Sequence, residues 1–157
     1  MSDDRTFVII GASQAGGWVA QTLRNEVFEG KVILIGEEPY LPYERPPLSK
    51  AALLGEVTVD STYFWQQEAL DEANIEVRLN TRVTKIDRDA KEIEIEGGDR
   101  IAYDKLAITT GARVRKLPIE GAELPGVFYL RTMEDTLAIR DAVKDGATAM
   151  IVGGGWI

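Results

Sequence analysis

The chain has 157 residues, 45% hydrophobic and 28% charged, a composition that excludes a disordered tail and on length alone suggests one compact domain. With no histidine and no cysteine it holds no imidazole base, thiolate nucleophile, redox disulphide, structural zinc site or iron–sulfur ligand set. The 26 acidic against 18 basic residues leave a net charge of −8, the wrong sign for tracking a nucleic-acid backbone, and no run approaches the ~20 apolar residues of a membrane helix. Neither nucleic acid nor membrane is expected as a partner. The acidic start Met1-Ser2-Asp3-Asp4-Arg5 lacks the basic opening of a signal peptide, so the expected location is cytoplasmic.

Thr6-Phe7-Val8-Ile9-Ile10 is short, β-branched and cut off by glycine, which predicts a buried strand. Ala15, Trp18, Val19, Thr22 and Leu23 follow helical spacing and lay one face on a sheet; Lys31 to Ile35 then reads as a second buried strand. Strand, helix and strand in this order make a βαβ unit. Pro39, Pro42, Pro46 and Pro47 suppress regular structure until a short helix from about Ser49 to Leu54, closed by Gly55. Thr62 to Ala73 reads as a helix, and Ile75 to Leu79 and Arg82 to Ile86 as strands. Glu92-Ile93-Glu94-Ile95-Glu96 alternates, turns at Gly97-Gly98-Asp99 and returns through Tyr103, a hairpin with one wet face. That face, and not a metal ion, accounts for its three glutamates. Lys105 to Ile108 is a fourth buried strand. Thr132 can cap a helix running through Val143, with Glu134 and Asp135 in its first turn, and Thr148 to Val152 begins one more strand.

Gly11-Ala12-Ser13-Gln14-Ala15-Gly16, placed between the first strand and the helix, is a dinucleotide fingerprint with serine at the middle glycine. The first position permits the tight turn, the second lets backbone approach a pyrophosphate, and the third lets helix and strand pack closely. The second strand ends at Gly36-Glu37-Glu38, where a carboxylate can accept from ribose hydroxyls. Pro39-Tyr40-Leu41-Pro42-Tyr43-Glu44-Arg45-Pro46-Pro47-Leu48-Ser49-Lys50 reads on composition equally well as a surface polyproline segment with solvated charges. Trp18, Tyr63, Phe64 and Trp65 read as packing aromatics.

Taken together, the glycine turn, the proline-rich block ending in Leu48-Ser49-Lys50, Thr110-Gly111-Ala112-Arg113 and Tyr129-Leu130-Arg131-Thr132-Met133-Glu134-Asp135 resemble the FAD-dependent ferredoxin reductases of bacterial ring-hydroxylating dioxygenase and cytochrome P450 systems. The resemblance implies a Rossmann-like α/β fold, a parallel sheet with an antiparallel hairpin or meander, in a flavoprotein with two dinucleotide-binding domains. Such reductases are over twice as long. Residues 1–112 would be an incomplete FAD-binding domain, and 113–157 a linker and the start of an NADH-binding domain. By the same resemblance Gly11, Ser13, Ala15 and Gly16 hold the FAD pyrophosphate and Glu37 the adenosine ribose. Arg45 and Lys50 sit beside pyrophosphate and flavin, and Val83 meets the adenine by its backbone. Thr110, Gly111, Arg113 and Arg131 complete the FAD contacts, while Gly153 and Gly155 open an NADH fingerprint. The implied reaction carries electrons from NADH through FAD to a [2Fe–2S] ferredoxin of an oxygenase system. A truncated FAD-binding module is an alternative, as is another pyridine-nucleotide flavoprotein of the monodehydroascorbate reductase or apoptosis-inducing-factor type. Three positions depart from the pattern: Ser13 for glycine, Thr109 where alanine is frequent, and Val27 where a left-handed helix cap favours glycine.

Overall fold

The computed structural model describes residues 3–153. In chain order the elements are β1 (Thr6–Ile10), α1 (Gln14–Asn25), β2 (Lys31–Ile35), α2 (Ala51–Leu54), α3 (Gln67–Glu72), β3 (Ile75–Arg78), β4 (Val83–Asp87), β5 (Glu92–Ile95), β6 (Arg100–Ala102), β7 (Lys105–Ile108) and α4 (Met133–Ala142), with 3-10 turns at Pro46–Ser49 and Asp60–Thr62. They fall into two compact units, Met1–Glu44 with Asp60–Ala112, and Arg45–Val59 with Arg113–Ile157.

The first unit holds a four-stranded parallel sheet in the order β3-β2-β1-β7 and a three-stranded antiparallel sheet β4-β5-β6. Because side chains alternate across a strand, the apolar runs of β1 and β2 serve two cores at once. Ile9, Val32 and Leu34 pack with Ala20 of α1 and Leu70 of α3 on one face. Val8, Ile10, Ile33 and Ile35 pack on the other against Ile93 of β5, which is fully buried. Ile10 lies opposite both Ile35 and Ile108, so β1, β2 and β7 end level, and the segments that follow them emerge side by side at the carboxyl edge of the sheet.

Helix α1 closes with the paired bonds of a Schellman cap: Phe28 N–H donates to Leu23 O (2.9 Å) and Val27 N–H to Arg24 O (3.0 Å). That cap forces Val27, a residue 75% exposed, to φ +60°. A β-branched residue held left-handed loses about 1–2 kcal/mol, while glycine there costs roughly 0.5–1 kcal/mol of chain entropy. Val27→Gly is therefore expected to stabilise the fold by about 0.5–1 kcal/mol, read as a higher urea midpoint by circular dichroism; an unchanged or lower midpoint would count against strain at this cap.

Three elements differ from the sequence reading. The helix expected over Thr62 to Ala73 is confined to α3, because Tyr63 bridges Tyr43 and Phe64 N–H donates to Pro42 O (2.9 Å), which holds these residues extended. Trp18 meets Trp65 and Phe64 edge-on at 5.1 and 6.3 Å, so the aromatics pack on one another. The strand β7 is an edge strand rather than a buried one, and Ile108 is 61% exposed. Residues 148–152 adopt no strand, since no partner strand pairs with them among the described residues, and Met150, Ile151 and Val152 stand in solvent.

In the second unit Pro46 and Pro47 open a 3-10 turn that leads through Lys50 into α2, which Gly55 closes at φ +74°. Helix α4 starts in a capping box: Thr132 Oγ1 accepts from Asp135 N–H (3.2 Å) and Asp135 Oδ2 from Thr132 N–H (2.8 Å). The buried Thr136 hydroxyl donates to Leu48 O (3.0 Å), tying this helix to the proline-rich block.

Candidate functional site

The turn between β1 and α1 is built around two glycines that admit no side chain. Gly11 sits at φ +111°, where an added Cβ would fall 2.9 Å from Thr110 N and nearer still to Thr109 O. On Gly16 a Cβ would overlap the Gly11 carbonyl and lie 2.8 Å from Thr109 Oγ1. The Thr109 hydroxyl is itself shared between Ile10 O (2.9 Å) and Gly11 O (3.0 Å), so β7 clasps the turn from behind. This is the place for a threonine that the sequence marked only as a departure.

Ser13 occupies the middle fingerprint position with φ −122° and ψ −163°, extended backbone that any residue adopts, so serine replaces glycine without strain. Its side chain makes no capping bond, and the first turn of α1 carries no acidic residue. The first helical bond is Gly17 N–H to Ser13 O (2.9 Å), which leaves the earlier amides, Ala15 among them, directed out of the helix end. Unpaired amides and a positive dipole end suit an anion.

Beside the turn, Gly36 lets β2 approach so closely that a Cβ there would sit 2.6 Å from the Ala12 Cβ. Glu37 follows, exposed, its Oε1 accepting from Arg82 Nη1 at 2.9 Å. Glu38 Oε2 accepts instead from the hydroxyl of Tyr43 (2.6 Å), a residue only 1% exposed. Of the two adjacent carboxylates, Glu38 is thus turned to the fold and Glu37 to solvent. Thr110 and Gly111 leave the end of β7 exposed, Gly111 at φ +68°. Val83 opens β4 one residue after Arg82 and packs against the second core.

The structure therefore brings Gly11, Ser13, Ala15, Gly16, Glu37, Thr110 and Gly111 to the carboxyl edge of one sheet, with Val83 linked to them through Arg82. Its strand order, with β2 and β7 on opposite sides of β1, is that of a Rossmann-like fold, and the glycine turn lies at the switch point where ligands bind. Arg45, Lys50, Arg113, Arg131 and Gly153 belong to the second unit. There Arg45 Nη1 donates to Arg131 O (2.6 Å), Lys50 and Arg113 are exposed, and Gly153 has φ +101°. Gly155 lies outside the described residues. Sequence reasoning missed Arg82, the Tyr43–Glu38 bond and the Thr109 clasp. The first and last span 45 and about 100 residues, and nothing local signals them.

Residues 5–157 match the family model described as pyridine nucleotide-disulphide oxidoreductase. Rhodocoxin reductase of Rhodococcus erythropolis is 40% identical over 152 residues, covering 97% of this chain and 36% of that protein. The biphenyl dioxygenase system ferredoxin–NAD(+) reductase component of Paraburkholderia xenovorans is 38% identical, over 97% of this chain and 37% of that protein. The crystal structure of a covalent putidaredoxin reductase–putidaredoxin complex superposes with a TM-score of 0.83 at 37% identity, over 88% of this chain and 34% of that one. The chain thus spans well under half the length of these relatives. A glycine turn at the switch point of a parallel sheet, matched along nearly the whole sequence, establishes that the chain belongs to the pyridine nucleotide-disulphide oxidoreductases.

Proposed function

We propose that the chain is the FAD-binding portion of an NADH-dependent ferredoxin reductase, which passes electrons from NADH through FAD to a [2Fe–2S] ferredoxin of an oxygenase system. The observation that carries this reading is the β1–α1 turn, where two glycines leave no room for a side chain and the helix end presents free amides with no acid of its own. A pyrophosphate fits such a turn. Gly11, Ser13, Ala15 and Gly16 would hold it, Glu37 would accept from the adenosine ribose, Val83 would flank the adenine, and Thr110 and Gly111 would border the cofactor. Arg45, Lys50, Arg113 and Arg131 are assigned to the cofactor by the resemblance, and Gly153 and Gly155 to an NADH-binding turn. Residues 1–112 are then an incomplete FAD-binding domain and 113–157 the linker and opening of the NADH-binding domain. When bound, FAD supplies hydride acceptance and one-electron delivery, chemistry that side chains without histidine or cysteine do not provide. The protein's part is to bind, orient and exclude water. Among the described residues no helix is long and apolar enough to cross a membrane, and the reading places the protein with the cytoplasmic NADH pool.

The test is flavin binding by the purified chain, followed by flavin absorbance and fluorescence. The expected result is bound FAD, with affinity roughly tenfold lower in Glu37→Ala and in Lys50→Ala. A chain that takes up no FAD, or variants with unchanged affinity, would overturn the assignment.

A further inference from the structure

Three places in the fold hold polar groups that the proposed function leaves unused: the guanidinium of Arg24 among loop carbonyls, the charged face of the β4–β5–β6 sheet, and Arg82 beside Glu37. The first is fully engaged by backbone, and in the second Arg100 lies within 3.8 Å of Glu92 and Glu94, which balances that face. Arg82 differs from both because its partner is the carboxylate offered to the ligand.

We propose that Arg82 is a positioning residue for Glu37: it holds one carboxylate oxygen so that the other is presented to the hydroxyls of the adenosine ribose. The inference rests on the assignment of Glu37 to that ribose. Arg82 Nη1 donates to Glu37 Oε1 at 2.9 Å. An exposed pair of this kind is by itself worth little, because two long side chains lose freedom to form it. Here the backbone on both sides is already fastened. Thr81 N–H donates to Gly36 O (2.8 Å), Asn80 N–H to Glu38 O (3.3 Å), and the Arg82 carbonyl accepts from Glu96 N–H (2.8 Å). Asn80 at φ +51° turns the chain back so that Arg82 arrives alongside the exit of β2. The segment carrying the guanidinium and the segment carrying the carboxylate are thus bonded to each other by their main chains, and the side-chain pair has only local freedom to lose.

A carboxylate has two oxygens. With Oε1 engaged by a planar, permanently charged guanidinium, rotation about the last side-chain bond is restrained, and Oε2 faces one direction with its lone pairs available. That is what discrimination of a ribose from a deoxyribose requires, since the gain from the 2′-hydroxyl depends on an acceptor already in place.

The experiment measures binding of ADP and 2′-deoxy-ADP to the full chain by titration calorimetry. For the unmodified chain ADP is expected to bind roughly tenfold more tightly than its deoxy analogue. In Arg82→Ala that ratio is expected to fall to about two- or threefold, and Arg82→Lys, which keeps the charge and loses the fork, restores only part of it. The melting temperature of the unliganded chain is expected to stay put in both variants, as befits an exposed pair. The decisive arm is a Glu37→Gln background, in which adding Arg82→Ala changes nothing if Arg82 acts through Glu37. A ratio that survives Arg82→Ala would overturn the positioning role while leaving the ribose assignment standing. Further weakening of ADP in the Glu37→Gln background would overturn it too, by showing that Arg82 meets the nucleotide directly. No preference for ADP in the unmodified chain would remove the ribose assignment and this inference together.

Discussion

Gly16→Ala is expected to destabilise the chain by about 3 kcal/mol, the upper end of what forcing extra atoms into a packed interior costs. Helix propensity points the other way, since alanine is favoured over glycine in a helix by about 1 kcal/mol. Packing decides the sign. The new Cβ would overlap the Gly11 carbonyl, with the carbonyl carbon at 3.1 Å and Thr109 Oγ1 at 2.8 Å. Two of those atoms are backbone of the turn, and the third is held by bonds to Ile10 O and Gly11 O, so none is the free end of a flexible side chain. Relief requires lifting α1 off β1, which opens the core that Ile9 and Ala20 share. The contrast is Gly17→Ala, whose Cβ would press first on the Trp65 ring and the Pro42 side chain at 2.6 and 2.9 Å; these are side-chain atoms, and the effect should be smaller. Urea unfolding followed by circular dichroism measures both variants. A Gly16→Ala chain as stable as the parent would show that helix and strand tolerate separation, and would remove the steric reason for glycine at the third fingerprint position. The same shift moves the helix end away from its place beside Gly11, so FAD affinity should fall at least about tenfold in that variant.

What could be read from the sequence divides along a physical line. The first forty residues are legible because each inference there is local: apolar runs of β1 and β2, helical spacing in α1, and Gly11 at φ +111°, a backbone that L side chains rarely adopt. Val27 belongs to this class, since a cap needs a left-handed residue at a fixed distance from the helix whatever the side chain. The misread segments are those whose state depends on a distant partner. Tyr63 and Phe64 carry no local signal against a helix, and are drawn out by Tyr43 and Pro42. Residues 148–152 have the composition of a strand, but a strand exists only where another donates and accepts beside it. The candidate site follows the same rule. Its glycine turn is visible in sequence, whereas the ion pair of Glu37 with Arg82, 45 residues away, and the clasp of Thr109 on Ile10 O and Gly11 O are made only by the fold.

Arg24 extends that lesson to stability, and Arg24→Ala is expected to cost about 3 kcal/mol. In the sequence it is one more cation in the last turn of a helix, where the dipole favours it by a few tenths of a kcal/mol and solvent surrounds it. The structure gives it a different task. Nε donates to Ala73 O (2.7 Å), Nη1 to Phe28 O (2.6 Å) and Gly30 O (2.8 Å), and Nη2 to Asn74 O (2.6 Å). Burial lowers its pKa from the ordinary arginine value, yet a guanidinium remains charged at any pH the fold survives. Its acceptors lie in the loop that joins α1 to β2 and in the loop that joins α3 to β3, so one side chain fixes both approaches to adjacent parallel strands. Hydrogen bonds to a charged donor are worth about 1.5–3 kcal/mol each when fully buried, and partial exposure reduces four of them to the total given. For a chain of this size that is a fall in melting temperature of roughly 6–12 °C. Arg24→Lys should recover less than half, because a single ammonium cannot reach acceptors on two loops at once. Amide exchange should quicken at Phe28 to Lys31 and at Ala73 to Ile75 well before the rest of the sheet responds, because the lost bonds hold those loops and not the strands themselves. A melting shift below about 2 °C would mean that the apolar contacts of Phe28 with the first core hold the loops unaided, and exchange that rises uniformly across β1 would mean that the four bonds support the sheet as a whole and not the loops alone.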